Sequence, residues 1–279
     1  MLKGFETDRI IMNALDEDIG LGDITTLSTV SENTVTDGVF IAKQQGVICG
    51  MSVLKRVYEL IDETISVKVL INDGERVSAG DRIALISGNA AGILTGERVA
   101  LNFLQRMSGI ATAARAYSDK LAGTRAVITD TRKTTPGLRI FEKYAVRTGG
   151  GANHRFNLSD GVLIKDNHIS AAGGIKEAVR KCRAVVPHLM KIEVETESMD
   201  QIREALEAGA DVIMLDNMSC SEMKEAVDFI AGRAITEASG NMGDKDISEI
   251  ALTGVDLISV GALTHSVKAL DISLKFKIS

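Results

Sequence analysis

Residues 190–216 read MKIEVETESMDQIREALEAGADVIMLD, a β-rich run followed by a helical segment and a second β-rich run. The helical segment ends at Gly209, a residue type suited to terminating a helix. Similar β-rich runs recur every 22 residues and begin near residues 190, 212, 234 and 256. Strand–helix units of this length, repeated in series, predict parallel strands joined by helices.

Two earlier runs extend the series, RAVITDT at 125–131 and GVLIKD at 161–166. Six strand–helix units in series predict either an α/β barrel or a doubly wound parallel sheet. We assign this catalytic domain to residues 109–265.

The first domain, residues 1–108, has a different pattern. Helical spacing occurs near 6–19 and 52–61, while SVKVLINDGERVSAGDRIALISG has alternating runs and turn signals that predict antiparallel strands. A long apolar helix is expected from about 94 to 121. The C-terminal ALDISLKF alternates again, so we expect residues 266–279 to return to the first domain as a strand.

The composition disfavours several classes of protein. No apolar run reaches the roughly 18 residues of a membrane span, and the N-terminus lacks a signal-peptide pattern. Cys49, Cys182 and Cys220 are too scattered to suggest a zinc site or a disulfide framework. Trp is absent, aromatic residues make up 4% and the net charge is −6, which disfavours nucleic-acid binding. We expect a cytoplasmic enzyme without nucleic-acid or membrane partners.

The C-terminal ends of the predicted strands are polar or glycine, whereas the strand interiors look apolar. Substrates bind at these ends in parallel α/β folds, so their convergence predicts a binding site. The end residues are Asp130 with Arg132 and Lys133, Lys165, Glu195, Asp216, Ser239-Gly240-Asn241 and Gly261.

The segment 130–168 is basic within an acidic chain, because it has seven Lys and Arg residues against four Asp and Glu. A local positive charge suits the binding of small anions, and Arg grips carboxylates and phosphates in bidentate fashion. Arg132, Arg155 and Lys165 are the strongest candidates since they flank strand ends. Lys143 is instead expected on an exposed helix face.

Three consecutive glycines, 149–151, precede His154 and Arg155. Successive glycines let backbone N–H groups approach an anion closely. We therefore predict a binding loop at this point.

Two further groups of strand-end residues indicate a sugar-phosphate site. Glu195 and Asp216 end neighbouring strands, where a carboxylate pair is suited to acid–base chemistry, to Mg²⁺ or to sugar hydroxyls. The sequence leaves these three roles open. The small residues 239–241 and Gly261 match the usual phosphate position of barrels.

These motifs resemble those of the quinolinate phosphoribosyltransferase family, and the resemblance runs from about residue 17 to 274. The motifs that carry it are DTRKTTPG (130–137), KYAVRTGGGANHR (143–155), LIKDNH (163–168), EVET (193–196), LDN (215–217), EASGN (237–241) and VGALTHS (260–266). The resemblance implies an N-terminal α/β sandwich domain, an open α/β barrel of about six parallel strands and a homodimer with shared active sites. It also implies conversion of quinolinate and phosphoribosyl pyrophosphate to nicotinate mononucleotide, pyrophosphate and CO₂ in NAD biosynthesis.

By motif match, the resemblance assigns roles to individual residues. Those implied to bind substrates are Arg132, Lys133, Thr134, His154, Arg155, Lys165, Glu195, Asp216, Ser239, Gly240, Asn241 and Gly261, with Arg98 from the neighbouring subunit. The implied catalytic residues are Lys133, Lys165, Glu195 and Asp216. Mg²⁺ is expected with the phosphoribosyl donor, near the two carboxylates, and no all-protein metal cage is expected.

One departure from the family pattern and two alternatives remain. The family usually has Ser-Gly-Gly where this chain has Ser239-Gly240-Asn241. One alternative is the paralogous protein associated with molybdenum transport, which is expected to lack the full set of dicarboxylate-binding cations. The other is a phosphate-sensing module, which would not need Glu195 and Asp216.

Overall fold

The computed structural model describes residues 4–276 and contains helices and strands in nearly all the places that the sequence predicts. The strands are β1 Val35–Ala42, β2 Gly46–Val47, β3 Ser66–Val69, β4 Arg76–Val77, β5 Arg82–Asn89, β6 Val127–Thr129, β7 Val162–Ile164, β8 Ile192–Thr196, β9 Val212–Asp216, β10 Ile235–Ser239, β11 Leu257–Ser259 and β12 Ile272–Phe276. The α-helices are α1 Phe5–Ile19, α2 Ile24–Thr29, α3 Met51–Ile61, α4 Ala90–Lys120, α5 Arg139–Thr148, α6 Asp166–Ala172, α7 Ile175–Val185, α8 Met199–Glu207, α9 Cys220–Ile230, α10 Ile247–Leu252 and α11 Ala262–His265.

The chain divides into two compact units. The first comprises the chain up to Arg115, Thr135–Gly150 and the segment that begins at Ser266. The second comprises Ala116–Thr134 and Gly151–His265.

An antiparallel sheet in the order β12-β1-β5-β3 organises the first unit. Alternate residues of β1 face its core, where Phe40 is fully buried and lies 6.4 Å from the ring of Tyr58 on α3. The antiparallel strands predicted for this part of the chain are confirmed. The C-terminal strand β12 pairs with β1, with Gly38 opposite Phe276.

The segment Thr135–Gly150 packs in the first unit, although we placed it in the barrel with residues 109–265. Its helix α5 buries Phe141, whose ring lies 5.0 Å from that of Phe103 on α4. Lys143, which we expected on an exposed helix face, is only 3% exposed. That expectation was wrong because α5 packs on more than one side.

A buried ion pair holds α5 against α4. The guanidinium of Arg106 donates from Nε at 3.0 Å and from Nη2 at 2.6 Å to one carboxylate oxygen of Glu142, which is 1% exposed. The other oxygen of Glu142 accepts the backbone N–H of Thr135. Every oxygen of this buried carboxylate therefore has a partner, which is the condition for burying a charge.

We expect Arg106→Met to lower the free energy of unfolding by about 3–5 kcal/mol, because Glu142 would stay buried without its counter-charge. Urea unfolding followed by circular dichroism measures the change. The matched control is Arg180→Met, which breaks the exposed Arg180–Glu177 pair and should lower the free energy of unfolding far less than Arg106→Met does. Equal costs for the two variants would contradict the assigned role of the buried pair.

Six parallel strands form the second unit in the order β6-β11-β10-β9-β8-β7. Pairing of β6 with β7 is not seen among the described residues, so the barrel is open between them, as predicted. Ser219 begins α9 with a reciprocal capping box to Glu222. Gly209 ends the α8 turn with a φ of 80°, as its place in the sequence predicts.

None of the helices in the described part of the chain combines the length and the apolar character that crossing a membrane requires.

Candidate active site

A pocket of about 350 Å³ opens at the C-terminal ends of the barrel strands. This volume lies within the range of roughly 300–1,000 Å³ that is usual for small-molecule sites. Its lining residues are Thr131, Arg132, Lys133, His154, Arg155, Leu163, Lys165, Met214, Glu237, Ser239 and Ser259. The structure thus brings together six of the residues that we predicted from the sequence, four of them cationic.

The pocket has two layers because side chains two residues apart on a strand point to the same face. We call the layer at the strand ends the rim. It holds Lys165, Ser239 and the loop cations Arg132, Lys133 and Arg155, which line the pocket, and the predicted residues Glu195, Asp216 and Gly261, which lie at or just beyond strand ends but are not among its lining residues. We call the layer one step inward the floor; it holds Leu163, Glu193, Met214, Glu237 and Ser259. We expected apolar strand interiors, and the floor corrects that expectation, since Glu193 and Glu237 are buried carboxyl groups.

The cations at the rim are crowded. Burial and the neighbouring charge of Arg132 both lower the pKa of Arg155, although a guanidinium stays charged at any physiological pH. The Nη1 of Arg155 donates to the carbonyl of Gly161 at 2.8 Å, which fixes the side chain. An anion in the pocket would relieve the repulsion between these guanidinium groups.

Lys165 and Glu195 form an ion pair at the rim, with the ammonium of Lys165 against Oε2 of Glu195. The side chain of Lys165 is about half exposed and that of Glu195 is mostly buried. On the next strand, Asp216 accepts a hydrogen bond of 2.7 Å from the side-chain amide of Asn217. Both predicted carboxylates therefore lie at the ends of adjacent strands, β8 and β9.

Asp130 fixes the loop that carries His154 into the pocket. This fully buried carboxylate accepts the backbone N–H of His154 at 2.9 Å and the side-chain amide of Asn153 at 2.5 Å. The ring Nδ1 of His154 accepts the backbone N–H of Arg155 at 2.8 Å. The Nε2 of His154 faces into the floor, 3.0 Å from Oε2 of Glu193.

The segment 131–134 is tied down beside the pocket. The hydroxyl of Thr264 donates to the carbonyl of Lys133 at 2.8 Å. Thr134 does not line the pocket; its backbone N–H donates to the carbonyl of Arg132. Its predicted contact with substrate stays a prediction.

The predicted phosphate position is tightly built. Gly240 has a φ of 99°, and a Cβ there would lie 2.2 Å from Oδ1 of Asn217. Asn241 has a φ of 52°, a left-handed conformation that Asn adopts more readily than most residues. Its presence where the family usually has Gly is thus compatible with the same backbone.

The glycine run 149–151 does not form the anion-binding loop that we predicted. The N–H groups of Gly149 and Gly150 donate to carbonyls at the end of α5. A Cβ on Gly149 would lie 2.4 Å from the carbonyl oxygen of Ala111 on α4. Gly149 is therefore needed for close helix packing in the first unit.

Arg98 lies on α4 in the first unit. Its predicted role in the active site of a neighbouring subunit stays a prediction.

Comparison with known proteins identifies the family. The family model described as the C-terminal domain of quinolinate phosphoribosyl transferase matches residues 110–275, and the model of its N-terminal domain matches residues 23–108. This chain belongs to the quinolinate phosphoribosyltransferase family. The resemblance drawn from the motifs is confirmed.

Relatives in the family are similar over most of their length. A probable nicotinate-nucleotide pyrophosphorylase (carboxylating) of Bacillus subtilis is 46% identical over 94% of this chain and 91% of the relative. A chloroplastic enzyme of the same name from Arabidopsis thaliana is 43% identical over 97% of this chain and 83% of its own. The crystal structure of NadC from Streptococcus pyogenes is 44% identical, covers 99% of this chain and 97% of its own, and has a TM-score of 0.93.

Proposed function

We infer that this chain transfers a phosphoribosyl group from phosphoribosyl pyrophosphate to quinolinate, forming nicotinate mononucleotide, pyrophosphate and CO₂ in NAD biosynthesis. The observation that carries this inference is the convergence of Arg132, Lys133, Arg155 and Lys165 on one pocket of the barrel. A dicarboxylate and a diphosphate donor together need such a concentration of positive charge. The family membership supplies the identity of both substrates.

The rim cations bind the dicarboxylate. Arg132 and Arg155 offer planar forks that match carboxylates in bidentate fashion. His154 is held by Asp130, so its position is fixed before substrate arrives. Orientation of the pyridine ring relative to the donor is then determined by fixed groups, which lowers the entropic cost of reaction.

The donor lies along the other part of the rim. Lys133 and Lys165 face its diphosphate, and the small residues 239–241 with Gly261 hold its 5′-phosphate. Glu195 and Asp216 present carboxylate oxygens, which is the ligand type that Mg²⁺ accepts beside the oxygens of a diphosphate. Mg²⁺ bound with the donor in this way would neutralise part of the negative charge of the leaving diphosphate.

Bond making and breaking then follow from the charges. The ring nitrogen of quinolinate forms a bond to the ribosyl carbon as the bond to pyrophosphate breaks, and positive charge develops on the sugar. Glu195 and Asp216 stabilise that charge, while Lys133 and Lys165 stabilise the departing pyrophosphate. The bond to the carboxylate beside the quaternised nitrogen then breaks, CO₂ leaves and the ring carbon takes up a proton.

The proposed assembly is a homodimer in which Arg98 of one subunit completes the pocket of the other. The proposed location is the cytoplasm, because the thiols of Cys49, Cys182 and Cys220 are all free, as is usual in a reducing compartment.

Incubation with quinolinate, phosphoribosyl pyrophosphate and Mg²⁺ tests the function directly. We expect nicotinate mononucleotide, pyrophosphate and CO₂ in equal amounts, and no nucleotide from nicotinate, which lacks the second carboxylate. Chromatography of the nucleotide and trapping of labelled CO₂ measure the products. Binding of quinolinate without release of pyrophosphate would instead indicate a sensor, and failure to bind the dicarboxylate would favour the molybdenum-associated paralogue.

A further inference from the structure

A buried group of titratable side chains lies beneath the rim cations, and its two carboxyl groups, those of Glu193 and Glu237, have no part in the steps above. His154, Glu193 and Glu237 present a ring nitrogen and carboxylate oxygens within 4.8 Å of one another. Glu193 is 6% exposed and Glu237 is 1% exposed, yet Glu237 lines the pocket. Two carboxyl groups that lie this close together and are this buried from water cannot both be ionised without a large cost in free energy.

His154 offsets only part of this cost, because it lowers the pKa of Glu237 by less than burial and the charge of Glu193 raise it. Its Nε2 lies 3.0 Å from Oε2 of Glu193 and 3.7 Å from Oε1 of Glu237. Its Nδ1 is occupied as the acceptor of the Arg155 N–H.

Glu237 is the member of the group that holds a proton. Its burial raises its pKa to about 8, with the negative charge of Glu193 as the next cause. Asp130 raises that pKa further, while His154 and a hydrogen bond from Ser259 act in the opposite direction. At neutral pH the group is thus a carboxylic acid, which donates one hydrogen bond and adds no charge to the pocket.

The atom that needs a partner is in the floor. Oε1 of Glu237 is buried and has no hydrogen-bond partner among the described residues. Buried polar atoms in native proteins are nearly always satisfied, so a ligand is the natural partner for this one. The guanidinium groups of Arg132 and Arg155 line the same pocket as Glu237.

We propose that Glu237 is a further substrate-binding residue, which donates a hydrogen bond from its neutral carboxyl group to the dicarboxylate bound above it. This inference rests on the proposed function, since it takes quinolinate as the ligand. If Glu237 were ionised, its charge would repel the substrate from within a dry pocket. A neutral donor in the floor therefore lets the cations at the rim determine the affinity.

The proposal makes binding depend on pH with a definite sign. The bound dianion favours the protonated form of Glu237, so binding is coupled to that proton. Affinity is unaffected at low pH and falls as pH rises above the pKa of Glu237 in the free protein. Above about pH 8 the logarithm of Kd should rise by up to one per pH unit, which is up to tenfold.

Isothermal calorimetry of quinolinate in EDTA-containing buffers of different ionisation enthalpy tests the proposal. We expect the wild-type protein to take up close to one proton per ligand at about pH 9 and almost none at about pH 6.5. Glu237→Gln keeps the shape and an N–H donor but cannot titrate. It should bind quinolinate within about fivefold of wild type at neutral pH, with no proton uptake at either pH.

Two further variants keep the test decisive. Glu225→Gln makes the same chemical change at an exposed site and should leave proton uptake unchanged. Glu193→Gln removes a charge that raises the pKa of Glu237, so the fall in affinity should begin at lower pH. Proton uptake that persists in Glu237→Gln, or binding without uptake in the wild type, would overturn the proposal. No binding of quinolinate by the wild type would overturn the proposed function and this inference with it.

Discussion

Replacing Arg132 with alanine should lower kcat/KM for quinolinate on the order of 100- to 1,000-fold, which corresponds to about 3–4 kcal/mol from two charge-assisted hydrogen bonds. The reason is the position of this guanidinium in the pocket, where Arg132 and Arg155 are the two Arg side chains among the lining residues that the structure describes. Steady-state kinetics with varied quinolinate measures the loss. Arg132→Lys keeps the charge but not the fork, so it should recover only part of the activity.

A control at the other end of the same strand separates site chemistry from folding. Arg125 precedes β6, pairs with Asp256 and is more than half exposed, whereas Arg132 follows the strand. Arg125→Ala should therefore leave kcat/KM within about twofold of wild type, since exposed pairs contribute little. If Arg132→Ala kept the wild-type kcat/KM for quinolinate, its assigned role in binding the dicarboxylate would be wrong.

The sequence predicted the rim of the pocket because strand ends can be located without tertiary information. Glycines and polar residues that interrupt apolar runs every 22 residues mark the C-terminal ends of parallel strands. Topology then brings those ends together, as with Lys165 on β7 and Glu195 on β8. The surplus of positive charge in the segment 130–168 predicts, in addition, that the ligand is an anion.

The floor was not predicted because an acidic residue within a strand fits either a face exposed to solvent or a face inside the barrel. In IEVET the alternation of Glu193 with Glu195 also fits a strand with one solvated face. The floor can be found by counting two residues back along the strand from each strand-end residue of the rim, because residues two apart point to the same face. This count leads from Ser239 to Glu237 and from Asp216 to Met214. That step can be used only once the barrel has been assigned.

Helix packing explains the two other errors. Gly149 and Lys143 belong to a segment that is central in the sequence motifs, and a Gly run next to cations is a reasonable signal for an anion site. In the structure, Gly149 allows α5 to approach the backbone of α4, and Lys143 is buried in the same unit. A single sequence does not distinguish a glycine needed for packing from one needed for a ligand.

The second large effect is expected from Gly240→Ala, which should weaken binding of phosphoribosyl pyrophosphate by about 100-fold or more. The residue has a φ of 99°, so a side chain costs about 1–2 kcal/mol in backbone strain. The new Cβ would also lie 2.8 Å from the backbone nitrogen of Asn217, which cannot move as a flexible side chain can. The loop must shift, and a displacement of about 1 Å in a positioning group can cost 100-fold.

Gly232→Ala separates the effect of backbone strain from the effect of a shifted loop. Gly232 has a φ of 74°, but an added Cβ there would have no atom within 4 Å. This control should lose stability in thermal unfolding yet bind the donor normally. Gly261→Ala is a second probe, since its Cβ would meet the flexible side chains of His265 at 3.2 Å and Lys133 at 3.3 Å. It should fold normally and weaken donor binding moderately. If Gly240→Ala folded and bound phosphoribosyl pyrophosphate as the wild type does, the 5′-phosphate would have to lie elsewhere on the rim.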